Sequence, residues 1–353
     1  QNCLVGGRTM CRKNQKWSIH NMALADFDAV SLYPSAMARM KGFLKGRPKV
    51  IENFDSIKNT ADGYYICIRI TKIGKHYDFP CVSQLTDDGI RNFTNDMVGQ
   101  VVYMDNIALT DLVRFQDAEY EFINGYYYDE GFNDTICSVI REIFEERLKY
   151  KKQGNPLQLV FKELMNSSYG KTCLKPIDSD IEYVSVDAWD KFVVKNYNYI
   201  KEATMLANGL YMKVKKIKTI DTHFNNVHIG VSILSTSKTI MYEVMTLAED
   251  LKIDMYYTDT DSIHIDNSKI NYLSQKFGEK YGRDLIGNKM GQFHTDFDLD
   301  GSVGDIVASD SIFLGKKCYI DKLVGVDSKG NDLVDYHIRM KGVSTSSIKY
   351  LGD

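Results

Sequence analysis

Two short acidic motifs carry most of the chemistry available to this sequence. Asp28 closes an apolar run over residues 23–30, and Asp259-Thr260-Asp261 sits between two further apolar stretches. Carboxylates held on rigid strands and aimed at one point can bind a pair of divalent ions about 3.5–4 Å apart. Such a pair suits phosphoryl transfer, which depends on positioning and charge neutralisation more than on covalent catalysis. A lone Asp-x-Asp is usually a turn former. Three features here point further: apolar strands on both sides, the hydroxyl of Ser262 immediately after, and a phosphate-suited turn after Asp28. Asp259 and Asp261, two residues apart, would share a face if both lay within a strand.

The turn after Asp28 is Ser31-Leu32-Tyr33, and the sequence predicts that it opens a helix with Pro34 in the first position. Amides at a helix start point outward and carry partial positive charge, so they can cradle a triphosphate. Matching cations come from a predicted helical pair. Lys162, Asn166 and Tyr169 are spaced i, i+4, i+7 and share one helix face, and Arg147 and Lys151 are i, i+4 on the preceding helix. Alone, Lys162 and Arg147 read as solvated charges; opposite two carboxylates, they would hold nucleotide phosphates. Tyr169 followed by Gly170 offers a flat ring beside a residue without a side chain, a surface on which a base pair could stack.

Several elements must position these groups. Residues 23–30 and 64–70 read as strands. Asp134 is placed to cap a helix whose stripe is Ile136, Val139, Ile140, Ile143, Phe144 and Leu148. Gln153-Gly154 breaks it, and Asn155-Pro156 restarts a helix running to about residue 169. Residues 172–225 look irregular with strand-like pieces. A helix over residues 235–251 leads into a strand–turn–strand around residues 258–265. Three strands are expected after it, at 311–314, 318–323 and 336–340.

A chain of 353 residues is long enough for two or three packed units. It has no run of 18 apolar residues, so no membrane span is expected. Its first eight residues lack a signal-peptide layout, which points to the cytoplasm or host-cell interior rather than secretion. Seven scattered cysteines form no CxxC pair, so reduced thiols are expected. The net charge of −3 is unusual for a protein that grips DNA, so positive charge must be concentrated locally. Candidate patches are Lys213-Val214-Lys215-Lys216-Ile217-Lys218, Lys316-Lys317 and Arg339-Met340-Lys341.

These motifs, in this order, resemble those of family B DNA polymerases. Asp28-Ala29-Val30-Ser31-Leu32-Tyr33-Pro34-Ser35 is similar to the first palm motif, and Lys162 to Gly170 to the fingers-helix motif. Tyr257-Thr258-Asp259-Thr260-Asp261-Ser262 resembles the third motif, Lys317-Cys318-Tyr319 the Lys-x-Tyr motif at the primer end, and Arg339-Met340-Lys341-Gly342 the lead into the thumb. Ser262-Ile263-His264 and the short intervals resemble the protein-primed viral, phage and mobile-element branch. Gly6-Gly7 resembles, weakly, the linker between exonuclease and polymerase regions, with Leu4 in place of its Tyr.

The resemblance implies an α+β right-hand polymerase with an antiparallel-sheet palm, helical-hairpin fingers, two insertions and a truncated thumb. The implied segments are a linker with the first palm segment over 1–75, the first insertion over 76–125, fingers over 126–171, the second insertion over 172–225, the second palm segment over 226–338, and the thumb start over 339–353. No exonuclease is expected within this chain. Asp28 and Asp261 would ligate two Mg2+ ions, with Mn2+ able to substitute; the Val30 carbonyl would complete one ion and Asp259 would be secondary. Ser31, Leu32 and Tyr33 would offer amides to the dNTP, and the Tyr33 ring would exclude a 2′-hydroxyl. Lys162, with Arg147 and Lys151, would hold phosphates, while Asn166 and Tyr169 would line the nascent pair. Gly170, Lys317, Tyr319, Arg339 and Lys341 would touch primer–template DNA. A terminal protein primer would be a further partner. The rival readings are a non-catalytic DNA- or primer-protein-binding module and a metal-dependent nuclease, which would not need the Lys162 face. A reverse transcriptase would be expected to show adjacent Asp-Asp.

Overall fold

A computed structural model of the chain describes residues 2–174, 179–218 and 226–342. They fall into two units, Gln1–Asn166 with Val231–Asp353, and Ser167–Gly230.

The larger unit is organised on β2, Trp17–Ala29. Its Ala25, Phe27 and Ala29 are buried, while Asp26 and Asp28 alternate with them and face the other way. Phe27 stacks on Phe293 with ring centroids 5.2 Å apart. Around β2 lie β1 (Thr9–Cys11), β3 (Met255–Asp259), β4 (Ser262–Asp266), β5 (Phe293–Thr295), β6 (Ser302–Gly315), β7 (Cys318–Asp327) and β8 (Asp332–Met340). They form one eight-stranded sheet in the order β1-β3-β4-β2-β6-β7-β8, with β5 also paired to β2. Every pairing within it is antiparallel. Leu24, Tyr257, Ala308, Phe313 and Leu323 pack together on it.

Helix α1, Leu32–Arg39, comes directly after β2. Pro34 is its third residue rather than its first; the missing N–H is harmless there because first-turn amides have no intrahelical partner. Helices α2 (Thr135–Lys152) and α3 (Leu157–Thr172) form a hairpin, with Tyr150 stacked on Phe161 at 5.5 Å. Asp134 makes no side-chain cap; Asn133 Oδ1 accepts from the Thr135 amide instead. Cys137, Ile140 and Phe144 form the buried line of α2, and Val139 is exposed, because the stripe is rotated toward α1. Arg141 donates to the Ala38 carbonyl across that contact. Helix α4, Val227–Asp250, begins eight residues before the expected start at 235.

A second antiparallel sheet in this unit has the order Lys49–Val50, Ala118–Tyr128, Gly63–Ile73, Val101–Asp105. Ile66, Ile68, Ile70, Leu109 and Leu112 form its core. Gly63–Ile73 pairs along its length with Ala118–Tyr128. The sheet therefore crosses the boundary expected at residue 76, because the apolar face of Gly63–Ile73 is covered by Leu109 and Leu112 from beyond that boundary. The smaller unit holds a three-stranded sheet with Tyr211–Ile217 between Ser179–Ser185 and Ile200–Met205, plus a helix, Trp189–Asn196. Its lysine patch is partly neutralised, Lys216 by Glu182 at 2.7 Å and Lys218 by Asp180 at 3.5 Å. Residues 343–353 of the expected thumb start lie outside the described residues. No helix among the described residues is long and apolar enough to cross a membrane.

Candidate active site

Strand pairing brings the two acidic motifs together. Ser262 stands opposite Asp28 in the β4–β2 register, and the Ala29 amide donates to the Asp261 carbonyl at 2.8 Å. Asp259 pairs with Ser262 to close a two-residue hairpin turn, Thr260-Asp261. Asp261 thus lies in the turn expected between the two apolar strands, with Asp259 at the end of β3. Thr260 has φ 67°, a left-handed value that a two-residue hairpin favours but threonine resists. Its amide donates to the Arg8 carbonyl at 2.8 Å, which holds the turn. Gly7 packs so tightly behind it that a Cβ there would lie 2.6 Å from Thr260 Cγ2.

A cleft of about 740 Å³ opens over this junction. Asp26, Asp28, Asp259, Asp261 and Asp296 form its acidic side, and Lys317, Tyr319, Arg339 and Lys341 its basic and aromatic side. Burial, then the charges of Asp261, Asp26 and Asp296, push Asp28 up to about 8. Burial raises Asp261 to about 6, with Asp259 and Asp26 adding and Lys317 opposing. Asp259 is different. Lys317 Nζ binds both of its oxygens, at 2.5 and 2.7 Å, and Thr9 Oγ1 donates to it at 2.9 Å. Among the described residues no three His, Cys, Asp or Glu side chains converge as a ready-made metal cluster. Among the described residues, Asp28 and Asp261 are the two acids of the expected set with no cationic partner at bonding distance, whereas Asp259 is paired with Lys317.

The basic side is built by β7 and β8. Tyr319 stands opposite Arg339, whose positive charge bears on its ring hydroxyl, and the Lys341 amide donates to the Lys317 carbonyl at 3.1 Å. Lys316, expected in the same patch, is tied instead to the Arg91 carbonyl at 2.6 Å.

Tyr33 lines the cleft at the start of α1. Ser31, before it, has φ 49°, a strained value for a non-glycine residue. It makes no side-chain cap; its Oγ accepts from Arg147 Nη1 at 2.8 Å. The start of α1 is thus without a side-chain cap from Ser31, with a guanidinium alongside; Pro34 brings no N–H, and the Ser35 amide donates to the Ser31 carbonyl at 2.9 Å. The Val30 carbonyl accepts from Ser35 Oγ at 2.8 Å, which leaves it one lone pair. The positive charge of Lys162 reaches both Asp28 and Asp296, and that of Lys151 reaches Asp296. Asn166 is exposed one turn beyond Lys162. Tyr169 and Gly170 belong to the smaller unit.

Reading the sequence missed Asp26 and Asp296. Asp26 was signalled by the strand period, two residues before Asp28; Asp296 carried no local signal. The Lys317–Asp259 pair was also unseen, since only the fold joins them.

Paired aspartates on an antiparallel sheet, beside a helical hairpin with inward charge, define the palm-and-fingers class of nucleotidyl-transfer folds. The chain belongs to the family described as DNA polymerase type B, organellar and viral, which it matches over residues 1–251. A "Probable DNA polymerase" of Neurospora intermedia is 28% identical over 259 residues, covering 69% of this chain and 25% of that protein. One of Ascobolus immersus is 27% identical over 277 residues, covering 77% and 22%. The chain therefore spans about a quarter of the length of these curated relatives. Among solved structures, Phi29 DNA polymerase superposes with a TM-score of 0.65 at 16% identity, covering 99% of this chain and 56% of that one. The same polymerase complexed with primer–template DNA gives 0.65 at 17% identity, covering 99% and 55%. The shared fold is that of a polymerase.

Proposed function

We propose that this chain is the catalytic core of a DNA-directed DNA polymerase, joining a dNTP to a primer 3′-hydroxyl in replication of a viral or mobile-element genome. The observation that carries this is one cleft lined by Asp28 and Asp261 together with Lys317, Tyr319 and Arg339, with the charge of Lys162 reaching Asp28. The two acids suit Mg2+, with Mn2+ as substitute: buried, mutually repelling oxygen ligands with raised pKa values are relieved by a hard dication. Asp28 and Asp261 would hold the ions, with the Val30 carbonyl and Asp259 secondary. Bound there, two such ions would sharpen the primer oxygen as a nucleophile and offset charge on the leaving pyrophosphate.

The chain's own groups do the positioning. The amides at the start of α1 and the side chain of Arg147 receive the triphosphate, and Lys162 neutralises its outer charge. Tyr33, which lines the cleft, would lie under the sugar. Lys317, Tyr319, Arg339 and Lys341 hold the primer end. A terminal protein primer fits the organellar and viral family. The test is primer extension with Mg2+, comparing wild type with Asp28→Asn and Asp261→Asn; each variant should lose more than about a hundredfold in rate while still binding DNA. Wild type that binds primer–template but never extends it would make the chain a binding module.

A further inference from the structure

Beneath the acidic side lies a buried polar cluster that the proposed chemistry does not use. His264 on β4 and Asp321 on β7 are both fully buried. His264 Nε2 lies 3.1 Å from Asp321 Oδ2. Ser311 Oγ donates to the other oxygen of Asp321 at 2.7 Å, and His337 Nδ1 approaches Oδ2 at 3.3 Å. Three side chains thus fix one carboxylate, and that carboxylate fixes the His264 ring. A hydrocarbon would fill this space without the cost of burying an ion pair, so the cluster is poorly explained as core filling alone.

The other face of the ring is aimed at the site. His264 stands opposite Asp26 in the β4–β2 register, and its Nδ1 lies 3.9 Å from Asp26 Oδ1. Both atoms are buried and neither has a hydrogen-bond partner. Asp26 lies two residues before Asp28 on the same strand face, and Ser262, the residue after Asp261, stands opposite Asp28 in that register. The His264 ring also meets Tyr319 edge-on at 5.0 Å, as well as Phe313 at 5.1 Å. One buried side chain therefore packs against Tyr319 and faces Asp26 across the strand pairing that also sets Ser262 opposite Asp28.

We propose that His264 is a positioning residue for nucleotidyl transfer: anchored by Asp321, it supports Asp26 and, through the β4–β2 pairing, keeps the Asp28 and Asp261 carboxylates in register with the ring of Tyr319. The idea rests on the polymerase reading above. Groups behind the direct ligands of a metal site orient those ligands, and losing one commonly costs about 10–100-fold in affinity or activity.

Two variants separate the faces of the ring. His264→Gln keeps a donor near Nε2 for Asp321, and His264→Asn keeps one near Nδ1 for Asp26. Mn2+ alone is titrated calorimetrically into each protein, alongside thermal unfolding and primer extension. His264→Gln should lose about tenfold or more in Mn2+ affinity and in kcat, with KM for nucleotide changed less than about threefold. His264→Asn should recover part of the Mn2+ affinity. If either variant is too unstable to measure, Ser311→Ala, which loosens Asp321 without touching the ring, should weaken Mn2+ binding in the same direction by a smaller factor. Lower melting temperatures with unchanged Mn2+ affinity and kcat would make His264 a core residue and overturn the proposal, as would an unaltered Mn2+ affinity in Ser311→Ala. If wild type binds Mn2+ but extends no primer, the polymerase reading fails and the Mn2+ titrations still decide the role of His264. A wild type without Mn2+ affinity overturns both.

Discussion

Lys317 Nζ stands 2.5 and 2.7 Å from the two oxygens of Asp259, so the first acid of the Asp259-Thr260-Asp261 turn is already paired. This separates the roles of three aspartates that look equivalent in sequence. Asp259→Asn should change divalent-ion affinity by less than about threefold, and Asp261→Asn by more than about tenfold. Lys317→Ala should weaken primer binding and lower its salt slope by about one. Calorimetry with Mn2+ and DNA titrations at two salt concentrations check both; equal losses of Mn2+ affinity in the two aspartate variants would refute the division.

The raised pKa values of Asp28 (about 8) and Asp261 (about 6) fix a pH dependence. Both exceed the roughly 3.9 of an unfolded aspartate, so without ions the folded chain binds more protons. Stability from these groups is fully present below about pH 4 and is lost as pH rises through 6 and then 8. A dication that binds the ionised pair reverses that loss. Mg2+ should therefore raise the melting temperature more at pH 8.5 than at pH 6, and its binding at pH 7 should release protons, seen as a buffer-dependent enthalpy. A Mg2+ increment that is the same at both pH values, or that survives in Asp28→Asn, contradicts this assignment.

Lys162 is exposed on α3, and its charge reaches Asp28 and Asp296. Loss of one charge-assisted contact to phosphate costs about 1.5–3 kcal/mol, or roughly ten- to a hundredfold. Lys162→Ala should weaken nucleotide use by that order and leave primer–template affinity nearly unchanged. Lost DNA binding with intact nucleotide affinity would show that the helix serves the duplex instead.

Tyr33 lines the cleft just after the strained Ser31. Tyr33→Val should raise ribonucleotide incorporation relative to deoxyribonucleotide incorporation in a primer-extension competition. Unchanged discrimination would move sugar selection to another residue.

Gly7 has no room for a side chain behind Thr260. Gly7→Ala should displace the turn that carries Asp261, lowering kcat at a cost in stability of only about 1–3 kcal/mol, read from thermal unfolding. Thr260→Ser, combined with it, removes the clashing methyl and should restore much of the rate. Failure of that rescue would place the effect of Gly7 elsewhere.

The motifs themselves were legible because they are local. Asp28 at a strand end, the Ser31–Tyr33 turn and the Lys162 helix face each emerge from period and punctuation within about ten residues. The helices and the hairpin of β3 and β4 were likewise visible, with ends displaced by tertiary packing: α4 extends eight residues further back, and Gly63–Ile73 pairs with strands of the segment assigned to the first insertion. What stayed hidden depends on long-range pairing. Lys317 neutralising Asp259, Asp296 entering the cleft, and Asp321 gripping His264 each join distant segments. No local pattern distinguishes an aspartate that will meet a lysine from one that will meet a metal ion.

The placement of β2 bears on how this protein is made. Its neighbours β4, β5 and β6 all lie beyond residue 261, and Thr9 of β1 finds its partner Asp259 only 250 residues later. At a synthesis rate of about 5–20 residues per second, these strands wait on the order of 10–50 s on the ribosome with open edges. Unpaired apolar edges are templates for wrong pairing. Asp26, Asp28 and the exposed His20 on β2 are charged and polar interruptions of the kind that discourages association between unfinished strands. The acids that later serve the site would first keep the unfinished strand apart from its copies, so replacing both Asp26 and Asp28 by Asn should lower soluble yield during synthesis more than it lowers the stability of the finished fold.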